Sequence, residues 1–199
     1  METKTDSLDA YAQAIEQAKG VVAGVRPDQM ENQTPCTKWD TRALLNHFVG
    51  SNLMMGTVGT GGSIGEFTSG PEAVAAMGDV VGDDPASAYA AASSGALAAF
   101  SAPGAMEKTW KLPFGDVPGS LALQVHFMET LTHTWDLAKS TGQLGKLDQS
   151  LAEPGLEAAR GIVSPKARNE AGDPFGAEVS VPEGAPPYDR LAGFMGRTP

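Results

Sequence analysis

The amino-acid sequence predicts an α-helical bundle. Over several long segments, apolar residues recur at three- and four-residue steps, a spacing that places them on one face of an α-helix. Short stretches rich in proline, glycine and polar residues separate these segments, and strand-like alternation is confined to one brief stretch. Helices that each bury an apolar face and are joined by short connections pack against one another as a bundle.

The helices of the N-terminal half have recognisable start signals. Ser7 is the expected N-cap of the first helix, and Asp40 or Thr37 is the expected cap of the second. Asp83 or Asp84 is the expected start of the third main helix, and Pro85 falls in its first turn, where proline is favoured. These signals and the apolar periodicity predict helices over residues 7–25, 40–55 and 85–100, with a further short helix over residues 71–81.

A glycine-rich segment, GTVGTGGSIGEFTSG, occupies residues 56–70. Its glycine content is too high for regular structure, so we expect a mobile loop. The alternative with functional meaning is a lid that closes over a site. A phosphate-binding loop is disfavoured, because the segment contains no Gly-Lys-Ser/Thr and no strand pattern precedes it.

The C-terminal half is organised around the longest helical pattern of the chain, residues 121–142. Before this central helix, residues 108–119 alternate briefly and contain two prolines, which predicts an extended arm or hairpin. After it, apolar periodicity predicts a helix over residues 147–163. A tail rich in proline and glycine, residues 175–187, then leads to a last short helix over residues 188–195.

Composition narrows the class of protein. The 199 residues are enough for one domain with a substantial core, so we expect a single domain over residues 1–199. The 14 basic and 24 acidic residues give a net charge of −10 without a basic stripe, which disfavours nucleic acid and anionic membranes as partners. A single cysteine, no signal-peptide pattern and no membrane-spanning run predict a soluble cytoplasmic protein. Monomer and homodimer both remain open.

The central helix carries a polar strip between its apolar surfaces. A helix that is apolar on several sides is expected to be buried, and burying a charge costs several kcal/mol unless the charge is paired or ligated. The strip is therefore expected to face a metal, a network of partners or a water-filled cleft. Its members lie within about 80° of one another on a helical wheel: Ala122, His126, Glu129, His133 and Asp136.

A second helix offers a further metal ligand. His47 lies on the core-facing side of the helix at residues 40–55, and Glu129 and His133 are separated by one helical turn. Two imidazoles and one carboxylate form a common ligand set for zinc, nickel or iron(II), with positions left open for water or substrate. Asp136 is then suited to orient a ligand or to contact substrate, and His126 competes for the ligand role.

A structure without metal is the alternative interpretation of the same residues. A single histidine on an apolar stripe, such as His47, is usually a core residue that hydrogen-bonds to the backbone. His126, Glu129 and His133 could likewise form a hydrogen-bonded ladder or an exposed face. The metal interpretation is favoured because all three histidines of the chain fall in the two segments that would have to meet.

Three blocks of sequence resemble a known family. They are TPCTKWDTRALLNHFVG at residues 34–50, VHFMETLTHTWDLAKSTGQ at residues 125–143 and FGAEVSVPEGAPPYDRLAGFMGRTP at residues 175–199. They look like the actinobacterial metal-binding branch of the DinB-like superfamily, which is related to the N-terminal domain of mycothiol-dependent maleylpyruvate isomerase. The resemblance implies an antiparallel four-helix bundle that holds a metal, usually zinc. The positions that match the ligands of this family are His47, Glu129 and His133.

The resemblance also implies a class of reaction. Similar enzymes use a low-molecular-weight thiol, mycothiol in actinobacteria, as cosubstrate, and coordination to a divalent cation ionises a thiol. The main hypothesis is a metal-dependent thiol transferase or isomerase that acts on a small electrophile, with Asp136 or His126 supporting the ligands or carrying a proton. The alternatives are a non-catalytic protein that binds a metal or small ligand, and a biosynthetic tailoring enzyme that uses the bundle cavity without a thiol.

Overall fold

The protein is mostly helical, as the sequence predicts, and the part of the chain that the structure describes contains a small two-stranded sheet. The computed structural model describes residues 4–63, 78–168 and 175–199. Short 3-10 turns lie at Pro27–Gln29, Leu144–Lys146, Gln149–Leu151 and Pro165–Ala167. The α-helices of the described residues are α1 (Lys4–Val22), α2 (Thr41–Gly59), α3 (Pro85–Ser101), α4 (Gly119–Ser140), α5 (Ala152–Ile162) and α6 (Pro187–Phe194).

Two of the predicted helix starts are confirmed and one is wrong. The Asp40 carboxylate caps α2 by accepting a hydrogen bond from the backbone N–H of Ala43 at 2.8 Å. Asp84 caps α3 in the same way, and Pro85 occupies its first turn. Ser7 does not cap α1, because that helix already begins at Lys4 and also ends earlier than predicted, at Val22.

Helix α2 continues into the segment for which a loop was predicted. Residues 56–59 form its last turn, so the prediction of irregular structure is wrong for these four positions. The glycine at position 59 has a packing role, because a Cβ there would lie 2.5 Å from Cη2 of Trp110. Tertiary contact therefore outweighs the poor helix propensity of glycine at this position. Residues 64–70, like most of the predicted helix at 71–81, lie outside the described residues.

The predicted extended arm is a β-hairpin. Strand β1 (Thr109–Leu112) pairs antiparallel with β2 (Gly115–Pro118), with Trp110 opposite Val117. The Trp110 ring is fully buried, stacks on Phe100 of α3 at 4.4 Å and donates its indole N–H to the carbonyl of Ala105 at 2.9 Å. The hairpin is thereby fixed to α3 and leads directly into α4.

The segment after α4 differs from its prediction in where the helix begins. A helix was expected from position 147, but the chain first makes 3-10 turns and α5 begins at Ala152. Pro154 accounts for the difference, because proline is tolerated in the first turn of a helix and would break a helix that began at position 147. Beyond the gap after position 168, residues 176–186 form no regular element before α6.

The packing of the helices brings α2 and α4 together. Helix α2 makes its most extensive contact with α3, α1 packs on α4 and α3, and α2 also contacts α4. Helix α5 lies on α4 and carries α6. None of the helices in the described part of the chain is long and apolar enough to cross a membrane. The largest fully buried side chains are Trp110, Trp135, Tyr11, Tyr89, Tyr188, Phe48 and Phe100.

Candidate metal centre

Helices α2 and α4 place three candidate ligands at one point. His47 projects from α2, and Glu129 and His133 project from successive turns of α4. One ligand atom from each residue lies within 4.8 Å of the other two. Nε2 of His47 is 2.8 Å from Oε1 of Glu129, and Nε2 of His133 is 4.0 Å from the same oxygen. Both imidazoles therefore face one carboxylate oxygen.

Glu129 is an ionised carboxylate at the centre of this group. Burial alone would raise its pKa, but hydrogen bonds from His126 and His47, with the favourable electrostatics of those rings, hold the pKa well below its usual value. Oε1 faces His47, and Oε2 lies 3.4 Å from Nδ1 of His126. An ionised carboxylate between imidazoles is already in the protonation state that a cation requires.

His133 is held by a buried ion pair behind it. Its Nδ1 lies 3.1 Å from Oδ2 of Asp136, a fully buried carboxylate that also accepts two hydrogen bonds from Arg197. Burial lowers the pKa of His133 more than the contact with Asp136 raises it, so the ring is neutral at pH 7. Burial would raise the pKa of Asp136, but the Arg197 charge and the His133 hydrogen bond lower it. A neutral ring with Nδ1–H engaged presents its Nε2 lone pair for coordination.

His126, the competing ligand in the sequence, lies beside the three candidate ligands and is tied to other groups. Its ring is fully buried and contacts Tyr11 and Phe100. Nε2 is 3.2 Å from Oδ1 of Asn52, which is also fully buried. With Nε2 directed at Asn52 and Nδ1 directed at Glu129, both ring nitrogens support neighbours rather than point at the shared ligand position.

Trp39 forms an aromatic wall against the candidate ligands. Its ring stacks on His47 with centroids 4.4 Å apart and planes at 27°, and it contacts the His133 ring at 5.9 Å. The His47 and His133 rings also meet edge to face at 4.9 Å. The indole N–H of Trp39 is buried and finds no acceptor among the described residues, so it is available as a hydrogen-bond donor.

Comparison with known proteins identifies the family. The sequence model of the mycothiol maleylpyruvate isomerase N-terminal domain matches residues 11–138, which include all three candidate ligands. The chain belongs to this family. Two proteins of Mycobacterium tuberculosis, from strains CDC 1551 and H37Rv, are 38% identical over 193 residues, covering 97% of this chain and 98% of each relative; both are described as uncharacterized. No solved structure matches the chain.

Membership of the mycothiol maleylpyruvate isomerase N-terminal domain family confirms the resemblance to the DinB-like superfamily that the sequence blocks indicate. The family is associated with metal, and the chain has a histidine and glutamate group to match. Around a tetrahedral zinc ion, ligand atoms at 2.0–2.2 Å from the metal are about 3.4 Å from one another. The two separations to Oε1 of Glu129, 2.8 and 4.0 Å, lie on either side of that value, and all three ligand atoms lie within 4.8 Å of one another, so the donor set fits such an ion once the side chains adjust.

Sequence reasoning missed three residues of this centre. Arg197 lies 61 positions from the carboxylate it contacts, and no periodicity links the two. Asn52 is a polar residue within an apolar helix, which is a signal that could have marked it as a buried partner. Trp39 lies one residue before the α2 cap, and that position gives no indication of the stack on His47.

Proposed function

We propose that the protein is a divalent-metal-dependent enzyme of the mycothiol-dependent transferase or isomerase type, acting on a small electrophilic metabolite. His47, Glu129 and His133 hold the metal, which is zinc in this proposal, with nickel and iron(II) as alternatives. The convergence of their ligand atoms within 4.8 Å, from two helices in a family associated with mycothiol, carries the proposal. The proposal includes an antiparallel four-helix bundle, made of α1 to α4, in a single domain over residues 1–199.

The charges of the ligands favour a thiolate. A divalent ion supplies a Lewis acid that ionises a bound thiol, whose free pKa is about 8.5. Glu129 contributes one negative charge, because its lowered pKa keeps the carboxylate ionised. His133 contributes none, because its lowered pKa keeps the imidazole neutral. A histidine binds a metal as the neutral imidazole, so a divalent ion held by these three ligands would keep one positive charge and would favour an anionic sulfur over a neutral one.

The residues around the ligands have supporting roles in this proposal. Asp136 orients His133 through Nδ1, since its carboxylate is fully buried and engaged by both His133 and Arg197. His126 supports the second oxygen of Glu129, and in this proposal His126 or Asp136 carries a proton. The side chains of His47 and Glu129 are 19% and 24% exposed, so the centre is open to water on their side.

Metal analysis of purified protein tests the ligand set. We expect about one zinc per chain in the parent protein and loss of stoichiometric metal in His47→Ala, Glu129→Gln and His133→Ala. Glu153→Gln is the matched control, because Glu153 pairs with Arg190 at the surface of α5. A parent protein without metal, or a His133→Ala variant that binds metal as well as the parent, would overturn the proposal.

Turnover with mycothiol and a generic electrophile tests the reaction class. We expect product formation that chelation abolishes and that returns when zinc is added. Binding of metal and thiol without turnover supports the non-catalytic binding protein instead. Turnover that is indifferent to both chelator and thiol supports the tailoring enzyme. A coupled measurement of metal content in the same samples distinguishes loss of metal from loss of activity.

A further inference from the structure

The C-terminal tail reaches the candidate metal centre through one side chain. Arg197 follows α6 by three residues, and the residue is only 9% exposed. Its Nε donates to Oδ1 of Asp136 at 3.3 Å and its Nη2 donates to Oδ2 at 3.0 Å. Its Nη1 donates to the carbonyl of Met195 at 2.8 Å, which fixes the guanidinium in the turn that ends α6. The guanidinium is thus held on one side by the Asp136 carboxylate and on the other by the Met195 carbonyl.

The two-point contact fixes the rotation of the Asp136 carboxylate. Arginine presents its donors in a rigid plane that matches both oxygens of a carboxylate, whereas lysine offers a single point of charge. With both oxygens held, Oδ2 lies 3.1 Å from Nδ1 of His133. Because an ionised carboxylate only accepts hydrogen bonds, the ring proton of His133 is placed on Nδ1. Nε2 is left with its lone pair toward Glu129.

Two observations separate this contact from an ordinary surface ion pair. A charge pair that is this buried is expensive to form, and removal of one partner leaves the other as an uncompensated buried charge. Asp136 is fully buried and Arg197 nearly so. The contact also joins the family's matched region, residues 11–138, to a residue far outside it. The tail therefore supplies the arginine partner of Asp136 from outside the matched region.

We propose that Arg197 is a positioning residue of the metal centre, which the C-terminal tail completes by locking Asp136 and, through it, the tautomer and orientation of His133. This inference rests on the metal ligands proposed above. Arg197 contacts neither metal nor substrate and acts only through Asp136. The tail is, on this proposal, required for the affinity and geometry of the metal site and not merely for packing against α4.

Metal affinity of three arginine variants tests the role. Partners of ligating histidines typically contribute about 10–100-fold in metal affinity. Because Arg197 acts one contact further out, through Asp136, we expect Arg197→Met to weaken zinc binding by about 10-fold, the lower end of that range, in a competition titration with a chromophoric chelator. Arg197→Lys should recover only part of the loss, because lysine keeps the charge without the planar fork. Arg190→Gln is the matched control: it removes an arginine from α6 that pairs with Glu153. Its zinc affinity should equal that of the parent.

The absorption spectrum of the cobalt(II)-substituted proteins reports ligand geometry directly. We expect the visible bands of Arg197→Met to shift or weaken, those of Arg197→Lys to be intermediate and those of Arg190→Gln to match the parent. A folded Arg197→Met variant with the parent's zinc affinity and cobalt spectrum would overturn the inference. If Arg197→Met does not fold, Arg197→Lys decides: parental affinity and spectrum in that variant would contradict a role for the fork.

A metal-free readout separates this inference from the proposed function. In chelator-treated protein with 15N-labelled histidine, the three imidazoles give few signals, and each ring's tautomer is read from long-range 1H–15N correlations. We expect the His133 ring to show a fixed Nδ1–H tautomer that is lost on Asp136→Asn or Arg197→Met and kept in Arg190→Gln. The His126 ring, whose Nδ1 faces Glu129, should keep its own tautomer in all of these variants. The same tautomer in Arg197→Met as in the parent refutes the positioning role. A parent that shows the fixed tautomer but binds no metal refutes only the proposed function.

Discussion

At the scale of single residues, the centre is a chain of polar contacts that begins at Asn52 and ends at Arg197. His126 links Asn52 to Glu129. The Glu129 carboxylate faces His47 and His133. Asp136 then connects His133 to Arg197. Buried polar groups need partners, and this one chain of contacts supplies partners to all of these side chains around one small volume. Positive charge at the arginine end and negative charge at Glu129 polarise the neutral ring between them.

Acid sensitivity follows from the pKa shifts in this chain of contacts. Glu129 and Asp136 have lowered pKa values in the folded state, so their stabilisation is present above their ordinary values of 4.5 and 3.8 and is lost as pH falls through the folded values. His133 also has a lowered pKa, so the unfolded state takes up its proton first as pH falls through 6.5. All three contributions reduce stability in the same direction.

We therefore expect the free energy of unfolding of the metal-free protein to fall from pH 7 toward pH 4, with an onset near pH 6.5. Glu129→Gln should show a shallower decline below pH 4.5 than the parent, because one of the lowered carboxylates is gone. Urea denaturation at a series of pH values with chelator present measures this. Glu153→Gln is the control, and an equally shallow decline in that variant would contradict the assignment to Glu129.

Trp39 allows a matched test of the aromatic wall. Its ring stacks on His47 with centroids 4.4 Å apart, and Trp110 stacks on Phe100 at the same distance. Trp39→Leu and Trp110→Leu should each lower the free energy of unfolding by about 1–3 kcal/mol. Only Trp39→Leu should weaken zinc binding, because His47 then loses the surface that fixes its ring. Urea denaturation and chelator competition on both variants measure the two effects; equal loss of zinc affinity would contradict the role of Trp39.

The residues found from sequence and those missed differ in how their positions are encoded. Glu129, His133 and Asp136 share one helix face, so the helical period of about 3.6 residues is by itself enough to place them together. His47 required only that two core-facing helix surfaces meet. Arg197 lies in an irregular tail whose sequence shows no helical or strand periodicity. Its contact with Asp136 arises from tertiary packing alone.

At the scale of elements, the junction between the hairpin and α4 sets where the central helix begins. Gly119 is the first residue of α4 and is buried. A Cβ at this position would overlap the carbonyl oxygen of Ala105 and lie 2.6 Å from Nε1 of Trp110, the two atoms that hydrogen-bond to each other. The absence of a side chain therefore lets the helix start directly against the anchored indole.

Gly119→Ala should consequently lower the free energy of unfolding by about 1–3 kcal/mol, the usual cost of overpacking. Gly20→Ala is the contrasting change, because Gly20 lies in α1 with nothing within 4 Å of an added Cβ. Alanine there should raise stability by about 0.5–1 kcal/mol through helix propensity. Thermal or urea denaturation of both variants measures the effects. Stabilisation by Gly119→Ala would show that the junction is not tightly packed.

The presence of a helix was predictable from sequence where local signals and tertiary packing agree. The prediction of where a helix begins or ends was wrong where the two disagree. The caps at Asp40 and Asp84 precede strongly periodic segments, and both helices begin as predicted. The end of α2 was misplaced because glycine signals a loop locally, whereas contact with Trp110 favours a residue without a side chain at position 59. Such a preference is visible only once the hairpin is packed in place.

At the scale of the whole molecule, the proposed metal joins segments that are far apart in sequence. Its ligands come from α2 and α4, and the contact of Asp136 with Arg197 adds the C-terminal tail. A net charge of −10 also favours the approach of cations. A ligand that binds only the folded chain stabilises the fold as a whole, and the stabilisation grows with the logarithm of its concentration relative to its Kd.

Zinc should therefore raise the melting temperature of the chelator-treated protein. At a free concentration about 1,000 times the Kd the stabilisation is about 4 kcal/mol, and each kcal/mol shifts the melting temperature of a chain of this size by about 2–4 °C, so a rise of about 8–16 °C is expected. Calorimetry with and without zinc measures it. Glu129→Gln and His133→Ala should lose the rise while Glu153→Gln keeps it, since Glu153 lies with Arg190 away from the ligands. Loss of one of three ligand atoms that act together should greatly reduce the affinity for zinc. If zinc still stabilises His133→Ala, the ion therefore binds elsewhere on the acidic surface.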